Sequence, residues 1–303
     1  MIQRILGKTG MEVSVVGVGT WQFGGEWGRA YSSAEAEAIF DAARDCGINL
    51  IDTAECYGDH LSEKLIGEAI KRDRDQWILA TKFGHKFHDL FTRDDVTKPE
   101  DVVAQLEDSL RALQTDYIDL YQFHSLGDDK FRTEGLWEAL QREKEKGKIR
   151  HLGISIGSNT NIFQTREAER VGAETIQVVY NRLDRKPEEE VLPECRRQNL
   201  GVLARVPLAS GFLSGKYKSG ARFPETDMRG KWMDEEAREK QIAEAQRIQR
   251  EEVPEGVDMA SWALAWCLRD EVVTCVIPGC KDPDQVRSNA AAADLLNKVE
   301  FKD

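Results

Sequence analysis

The chain has 303 residues, 41% of them apolar and 32% charged, the balance of a soluble globular protein. A chain of this length buries about three quarters of its unfolded surface, so neither a metal nor a disulfide framework is needed to hold a core. The net charge of −12 argues against nucleic-acid or anionic-membrane partners, and no apolar run approaches the roughly 20 residues of a membrane span.

Residues 1–8 lack the apolar stretch of a secretory signal, so the expected location is cytoplasmic. Residues 2–13 carry Lys8-Thr9-Gly10 and read as a β-hairpin closing the floor of a barrel. Residues 15–19 read as the first barrel strand, and a helix begins near Ser32 and Ser33. Strands follow at 48–53, 77–82 and 117–123, each leading into a helix, at 61–71, 99–113 and 136–146. In the second of these helices Val102, Val103, Leu106, Leu110 and Leu113 recur at helical spacing. The remaining strands fall at 149–155, 175–180, 201–204 and 274–277, with helices at 162–171, 188–198 and 259–268.

Alternation of this kind forces parallel pairing and right-handed crossovers, so the expected fold is an α/β (β/α)8 TIM barrel spanning 1–303 as a single domain. Two connections are longer than a barrel needs, 83–98 and 207–233, the latter before a charged helix at 234–251. Both follow strand ends and read as structureless binding loops or lids. There is no internal repeat.

Asp52, Tyr57, Lys82 and His124 each stand at or just past the C-terminal end of a predicted strand, where parallel barrels gather their active sites. Together they supply what a hydride-transfer reductase needs. Tyr57 is the candidate proton donor; a free phenol has a pKa near 10, and a lysine ammonium about 4 Å away lowers it by up to about three units before burial raises it again. Lys82 is that cation, Asp52 keeps it charged, and neutral His124 donates a hydrogen bond that orients the substrate carbonyl.

The six cysteines, Cys46, Cys56, Cys195, Cys267, Cys275 and Cys280, form no C-x-x-C pair and read as buried thiols. His85 and His88 read as loop histidines, no His-x-His ends the first strand, and no metal site is expected, which counts against a metal-dependent barrel hydrolase. Gly17-Val18-Gly19 begins a dinucleotide fingerprint but has Gln22 at the third glycine position, so a Rossmann reading fails. Gly19 and Trp21 read instead as lining the barrel mouth, Trp21 on the substrate side.

The segments 47–58 (GINLIDTAECYG), 81–84 (TKFG), 120–124 (LYQFH), 152–155 (LGIS), 177–181 (QVVYN) and 278–289 (PGCKDPDQVRSN) resemble the aldo-keto reductase family, in order and over essentially the whole chain. The resemblance implies a (β/α)8 barrel binding NADPH in extended form across its C-terminal face. It aligns the family's catalytic tetrad with Asp52, Tyr57, Lys82 and His124. The cofactor would lie against Gly19, Thr20, Trp21 and Asp52, with its carboxamide on Ser155 and Gln177. Arg205 stands where relatives place a stacking aromatic, and a guanidinium also packs flat on a π-face.

The resemblance further implies that Pro207, Leu208, Ser210, Gly211 and Leu213 wrap the pyrophosphate, with Lys216 nearby. Gly279, Lys281, Gln285 and Asn289 match the adenosine end, where a cation selects the 2′-phosphate. Asp282 beside Lys281 would repel a phosphate if it faced the pocket, so NADH stays open beside NADPH. Ile156 stands where many relatives have asparagine. The main reading is reduction of a small-molecule carbonyl, with two alternatives: a polyol or sugar dehydrogenase working in the oxidative direction, and an NADPH-binding regulatory subunit with little turnover. Nothing in the sequence marks an oligomeric interface.

Overall fold

The computed structural model describes every residue except 91, 226, 228, 231, 232, 302 and 303. An antiparallel hairpin of β1 (Gln3–Ile5) and β2 (Glu12–Ser14) opens the chain. The barrel begins at β3 (Val18–Gly19) and α1 (Ser33–Asp45), whose start is a reciprocal capping box between Ser32 and Glu35. It continues through β4 (Leu50–Asp52), α2 (Leu61–Ile70) and β5 (Ile78–Phe83). A second hairpin, β6 (His85–Asp89) and β7 (Thr92–Asp95), precedes α3 (Pro99–Leu113), which has proline in its first turn, and β8 (Ile118–His124).

The second half follows the same alternation. Short α4 (Asp128–Phe131) and α5 (Leu136–Glu145) lead to β9 (Ile149–Ser155), then α6 (Ile162–Val171), β10 (Ala173–Val179), α7 (Val191–Gln198) and β11 (Gly201–Arg205). After the long loop come α8 (Glu235–Glu251), α9 (Met259–Cys267), β12 (Val273–Val276), α10 (Pro283–Ala290) and α11 (Ala292–Leu295). Every residue of α9 but Ala260 is buried, including Trp262 and Trp266. That follows from its almost wholly apolar sequence.

The 8-stranded sheet runs β3-β4-β5-β8-β9-β10-β11-β12, with every neighbouring pair parallel. Parallel bridges Val16–Val276 and Gly19–Gly279 join its first and last strands and close the (β/α)8 barrel. A Cβ on Gly19 would stand 2.6 Å from the carbonyl oxygen of Ile277, so this closure requires glycine. Leu6 and Val13 of the first hairpin join Leu50, Ala80, Leu120, Leu203, Cys275 and Ile277 in one dry cluster. Arg4 donates to the carbonyls of Leu268, which caps the C-terminus of α9, and of Val273, which opens β12. The hairpin therefore plugs the barrel floor, as its position in the sequence predicts.

The connection 83–98 is not structureless. It holds the β6–β7 hairpin, whose residues are exposed or half-buried on both faces, so the apolar alternation that marks a half-buried strand is missing. The 207–233 connection carries a tight turn at Ala209–Ser214 and a bridge between Trp27 and Asp227. Among the described residues no helix is long and apolar enough to cross a membrane.

Candidate active site

Alternation along a strand sends every second side chain into the barrel, and the chemistry of that inward column changes partway up. Leu50 gives way to Asp52 in β4, Ala80 to Lys82 in β5, Leu120 to Gln122 and then His124 in β8, and Leu203 to Arg205 in β11. Register pairs Lys82 with Gln122, His124 with Ser155, and Ser155 with Gln177. The polar residues thus form one belt around the C-terminal mouth.

Lys82 Nζ donates to Asp52 Oδ2 at 2.8 Å and to the Thr53 carbonyl at 2.6 Å, and lies 3.5 Å from Tyr57 Oη. Burial lowers the affinity of Lys82 for its proton, but Asp52 and Tyr57 more than offset this, and its pKa is raised overall. The Tyr57 phenol ends above its free value. Burial pushes it up to about 12, Asp52 adds to the rise, and Lys82 only partly opposes it. Both effects are expected from the sequence, the cation lowering the pKa and burial raising it, and here burial outweighs the cation. Tyr57 consequently holds its proton at neutral pH.

Asp52 is held in turn by residues from β8 and β10. Its Oδ1 accepts from Gln177 Nε2 at 2.7 Å and from Gln122 Nε2 at 3.2 Å. Gln122 was not singled out from the sequence; its inward position beside Lys82 was the available signal. Tyr57 stacks on Trp21 at 6.1 Å between ring centroids and meets His124 edge-on at 6.0 Å. A Cβ on Gly24 would stand 2.7 Å from the Tyr57 carbonyl carbon, so glycine lets the Trp21–Gly24 turn close on the tyrosine backbone. Trp21 donates to Glu26, which also accepts from Arg93 of the β6–β7 hairpin. The hairpin is thereby anchored over the mouth.

Behind His124 lie two neighbours that sequence reasoning missed. Nδ1 is 3.7 Å from Cys56 Sγ and 3.7 Å from Glu55 Oε2. Burial, then the positive fields of His85, Lys82, Arg93 and Arg205, holds the imidazole pKa well below its usual range, so the ring is neutral. Glu55, Cys56 and His124 place their polar atoms within 4.8 Å of one another, the only such grouping among the described residues. Burial keeps the Cys56 thiol protonated and Lys82 and Arg93 face it, an environment that disfavours a bound cation. All six cysteines are free, and all but Cys46 are buried.

The residues assigned to the cofactor fall into three groups around the mouth. Gly19 and Thr20 sit at the first strand end; Thr20 Oγ1 donates to the Asp52 carbonyl, which makes it a brace for the β4 end. Ser155 Oγ donates to Gln177 Oε1 at 3.3 Å, and Arg205 donates to the Ile156 carbonyl at 3.1 Å. Arg205 Nε is buried with no hydrogen-bond partner among the described residues, a cost that a ligand packed on the guanidinium would relieve. A cavity of about 470 Å³ opens beside it, lined by Val179, Lys186 and residues 157–160.

After β11 the backbone is strained, with positive φ at Val206 (53°), Ala209 (47°), Ser210 (56°) and Gly211 (93°). A β-branched residue in that region is an outlier of the kind found at ligand clamps. Pro207, Leu208, Ser210 and Gly211 lie on this turn, whereas Leu213 packs its side chain into the core. Lys281 is pushed down by burial and then by the like charges of Lys216 and Arg229, so these cations face one another. Arg229 pairs with Asp227 and donates to Tyr217 Oη at 2.6 Å. Asp282 caps α10 by accepting from the Gln285 N–H at 2.8 Å, and Gln285 accepts from the Lys281 N–H at 3.0 Å. The carboxylate next to Lys281 is therefore spent on the helix. Asn289 Nδ2 donates to Cys280 Sγ at 3.3 Å and bonds the Gly279 carbonyl weakly, shaping the loop.

Comparisons with known proteins find relatives across nearly the whole chain. The profile of the Aldo/keto reductase family matches residues 15–302. The aldo-keto reductase YhdN of Bacillus subtilis (strain 168) is 35% identical, with 98% of this chain and 91% of that protein covered. The holo form of an aldo-keto reductase from Bacillus halodurans superposes with a TM-score of 0.81 at 31% identity, covering 97% of this chain and 91% of that one. A glycerol dehydrogenase from Gluconobacter oxydans gives a TM-score of 0.81 at 30% identity, covering 96% and 89%.

Proposed function

The chain belongs to the aldo/keto reductase family, oxidoreductases that act on small-molecule carbonyls with nicotinamide cofactors, and from that premise we propose that it reduces an aldehyde or ketone with Tyr57 as the proton donor and NADPH as the preferred cofactor. The observation that carries the reading is Lys82 Nζ shared between Asp52 Oδ2 and Tyr57 Oη inside a buried mouth. When bound, the cofactor supplies a hydride to the carbonyl carbon.

The protein's own residues manage the oxygen. Tyr57 Oη–H donates to the carbonyl oxygen and gives up its proton as negative charge develops there; an alkoxide is a stronger base than a phenolate, so the transfer runs downhill. Lys82, fixed by Asp52, then stabilises the phenolate left on Tyr57. An N–H of His124 completes the pair of donors that hold the carbonyl. Ser155, Gln177 and Arg205 would hold the nicotinamide end, with the strained 206–211 turn against the pyrophosphate. Lys216, Lys281 and Arg229 would face a 2′-phosphate, which favours NADPH over NADH.

The glycerol dehydrogenase among its structural relatives favours a second reading, oxidation of a polyol by the same groups in reverse. Loss of reduced-nicotinamide absorbance with NADPH and NADH, over a panel of aldehydes, dicarbonyls and sugars, tests the assignment beside Tyr57→Phe. The variant is expected to lose about 10²- to 10⁴-fold in kcat while keeping its cofactor affinity, since only the proton donor is removed. An unchanged rate would sink the tetrad assignment. Turnover confined to alcohols and oxidised cofactor would replace the first reading by the second.

A further inference from the structure

Glu55 is the charged side chain of the mouth for which carbonyl reduction as described has no use. It is 2% exposed. Its Oε1 accepts from the His85 N–H at 2.9 Å, while Oε2 is buried with no hydrogen-bond partner among the described residues and stands 3.7 Å from His124 Nδ1. Leaving a buried carboxyl oxygen unmatched is costly, so a group held this way calls for an explanation.

We infer that Glu55 is a positioning residue that sets, through its contact with His124 Nδ1, which ring nitrogen carries the proton, and so whether His124 offers an N–H to the carbonyl oxygen. The inference rests on the carbonyl-reduction reading. A neutral imidazole has one N–H. Nδ1 is the nitrogen turned toward Glu55 and Cys56, which leaves Nε2 for the substrate. With Glu55 protonated and its 3.7 Å gap to Nδ1 closed to bonding distance in competition with Cys56 Sγ, its O–H donates to Nδ1, the ring proton sits on Nε2, and His124 is a donor to the carbonyl. With Glu55 ionised, the carboxylate accepts from Nδ1–H and Nε2 presents a lone pair. That state rejects a carbonyl oxygen and suits the O–H of an alcohol.

The groups around Glu55 place the switch near neutrality. Burial raises its carboxyl to about 7; Glu63 of α2 adds to the rise, while the His85 N–H and Lys82 oppose it. Tyr121 of β8, also buried and coupled to Glu55, keeps its proton throughout. The His124 ring meets His85 edge-on at 4.9 Å and faces Lys82, Arg93 and Arg205, all of which hold it neutral. Cys56 stays a thiol. His60, which caps α2 and bonds Glu63, also titrates near neutrality; against burial, Glu63 and Glu55 raise its pKa. Glu55 is the titrating carboxyl that faces His124, and the sign follows: carbonyl reduction loses rate, and alcohol oxidation gains it, as pH rises through about 7.

The first test is kcat/KM for reduction against pH in the wild type, Glu55→Gln and Glu55→Leu. Glutamine keeps an acceptor for His85 and a fixed donor for His124, so its profile should lack the inflection near neutrality. Leucine should lower kcat at every pH by about tenfold with little change in KM. An inflection that survives in Glu55→Gln would overturn the inference. The second test needs neither turnover nor a variant at Glu55: ¹⁵N shifts of the His124 imidazole, assigned with His124→Gln, followed through the same pH range. The Nε2–H tautomer should give way to Nδ1–H near pH 7, and a tautomer that stays fixed would equally overturn it. Absence of any turnover in the wild type would instead count against the reductase reading, since the tautomer measurement does not depend on it.

Discussion

At the floor of the barrel Leu50, Leu120 and Leu203 close on Leu6 and Val13 with no solvent exposure. At the mouth the same strands turn Asp52, Gln122 and Arg205 inward, nearly as deeply buried except at Arg205. Burial is the common condition, and the two ends answer it oppositely. The floor removes polar groups altogether and gains roughly 25 cal/mol for each Å² withdrawn from water. The mouth accepts the desolvation of charges and offsets it by pairing, Lys82 with Asp52, and Asp52 with Gln122 and Gln177. A fully satisfied network of that kind is rigid, and where it is incomplete, at Glu55 Oε2 and Arg205 Nε, an unpaired atom marks a place to act on something else.

The two ends should fail differently. Lys82→Met is expected to have the largest effect, because it strikes both properties of the mouth: Asp52 is left buried without its counter-charge, costing about 3–5 kcal/mol of stability, and the phenolate loses its cation. Urea unfolding and single-turnover rates on the same preparation measure the two losses. Unchanged stability would mean that the Gln122 and Gln177 amides alone satisfy Asp52. Leu120→Ala at the floor should cost about 2–5 kcal/mol through lost transfer energy and an unfilled cavity, with kcat per folded molecule unaltered. A comparable fall in kcat would show that the floor sets the geometry of the mouth, and the division between them would collapse.

How far each end was legible in the sequence follows from the same contrast. Apolar alternation and regular helix caps are local signals, and they placed the strands, α3 from Pro99 to Leu113, and the plugging hairpin. The quartet was legible because strand ends converge in a barrel, so position along the chain translates into position around the mouth. What was not legible depends on contacts between distant segments. Glu55 reads as a loop residue until His124 is found behind it. Arg229 lies in a long connection without apolar periodicity, and only the fold brings it against Tyr217 and beside Lys281. The β6–β7 hairpin was hidden because its polar residues, such as Lys86, His88 and Asp94, bury no face.

The smallest expected effect lies at the outer edge of the mouth, where the rule of pairing is broken on purpose. Lys281, Lys216 and Arg229 stand close enough for Lys281 to be pushed down by its neighbours, and Asp282, the carboxylate beside it in sequence, is turned away to cap α10. Asp227 pairs with Arg229 and also faces Lys281, one carboxylate against three cations. Like charges gathered without full compensation store repulsion that a doubly charged phosphate would relieve, and that relief is available to NADPH alone. Lys281→Ala should therefore weaken NADPH binding about tenfold, roughly 1.4 kcal/mol, since Lys216 and Arg229 remain. NADH affinity should change far less. Titration of protein fluorescence with each cofactor at low and high salt reads this directly, because a half-exposed cluster is screened and the NADPH advantage should shrink as salt rises. Equal losses for both cofactors would place the 2′-phosphate elsewhere, and would make the basic edge a feature of the loop fold instead of its ligand.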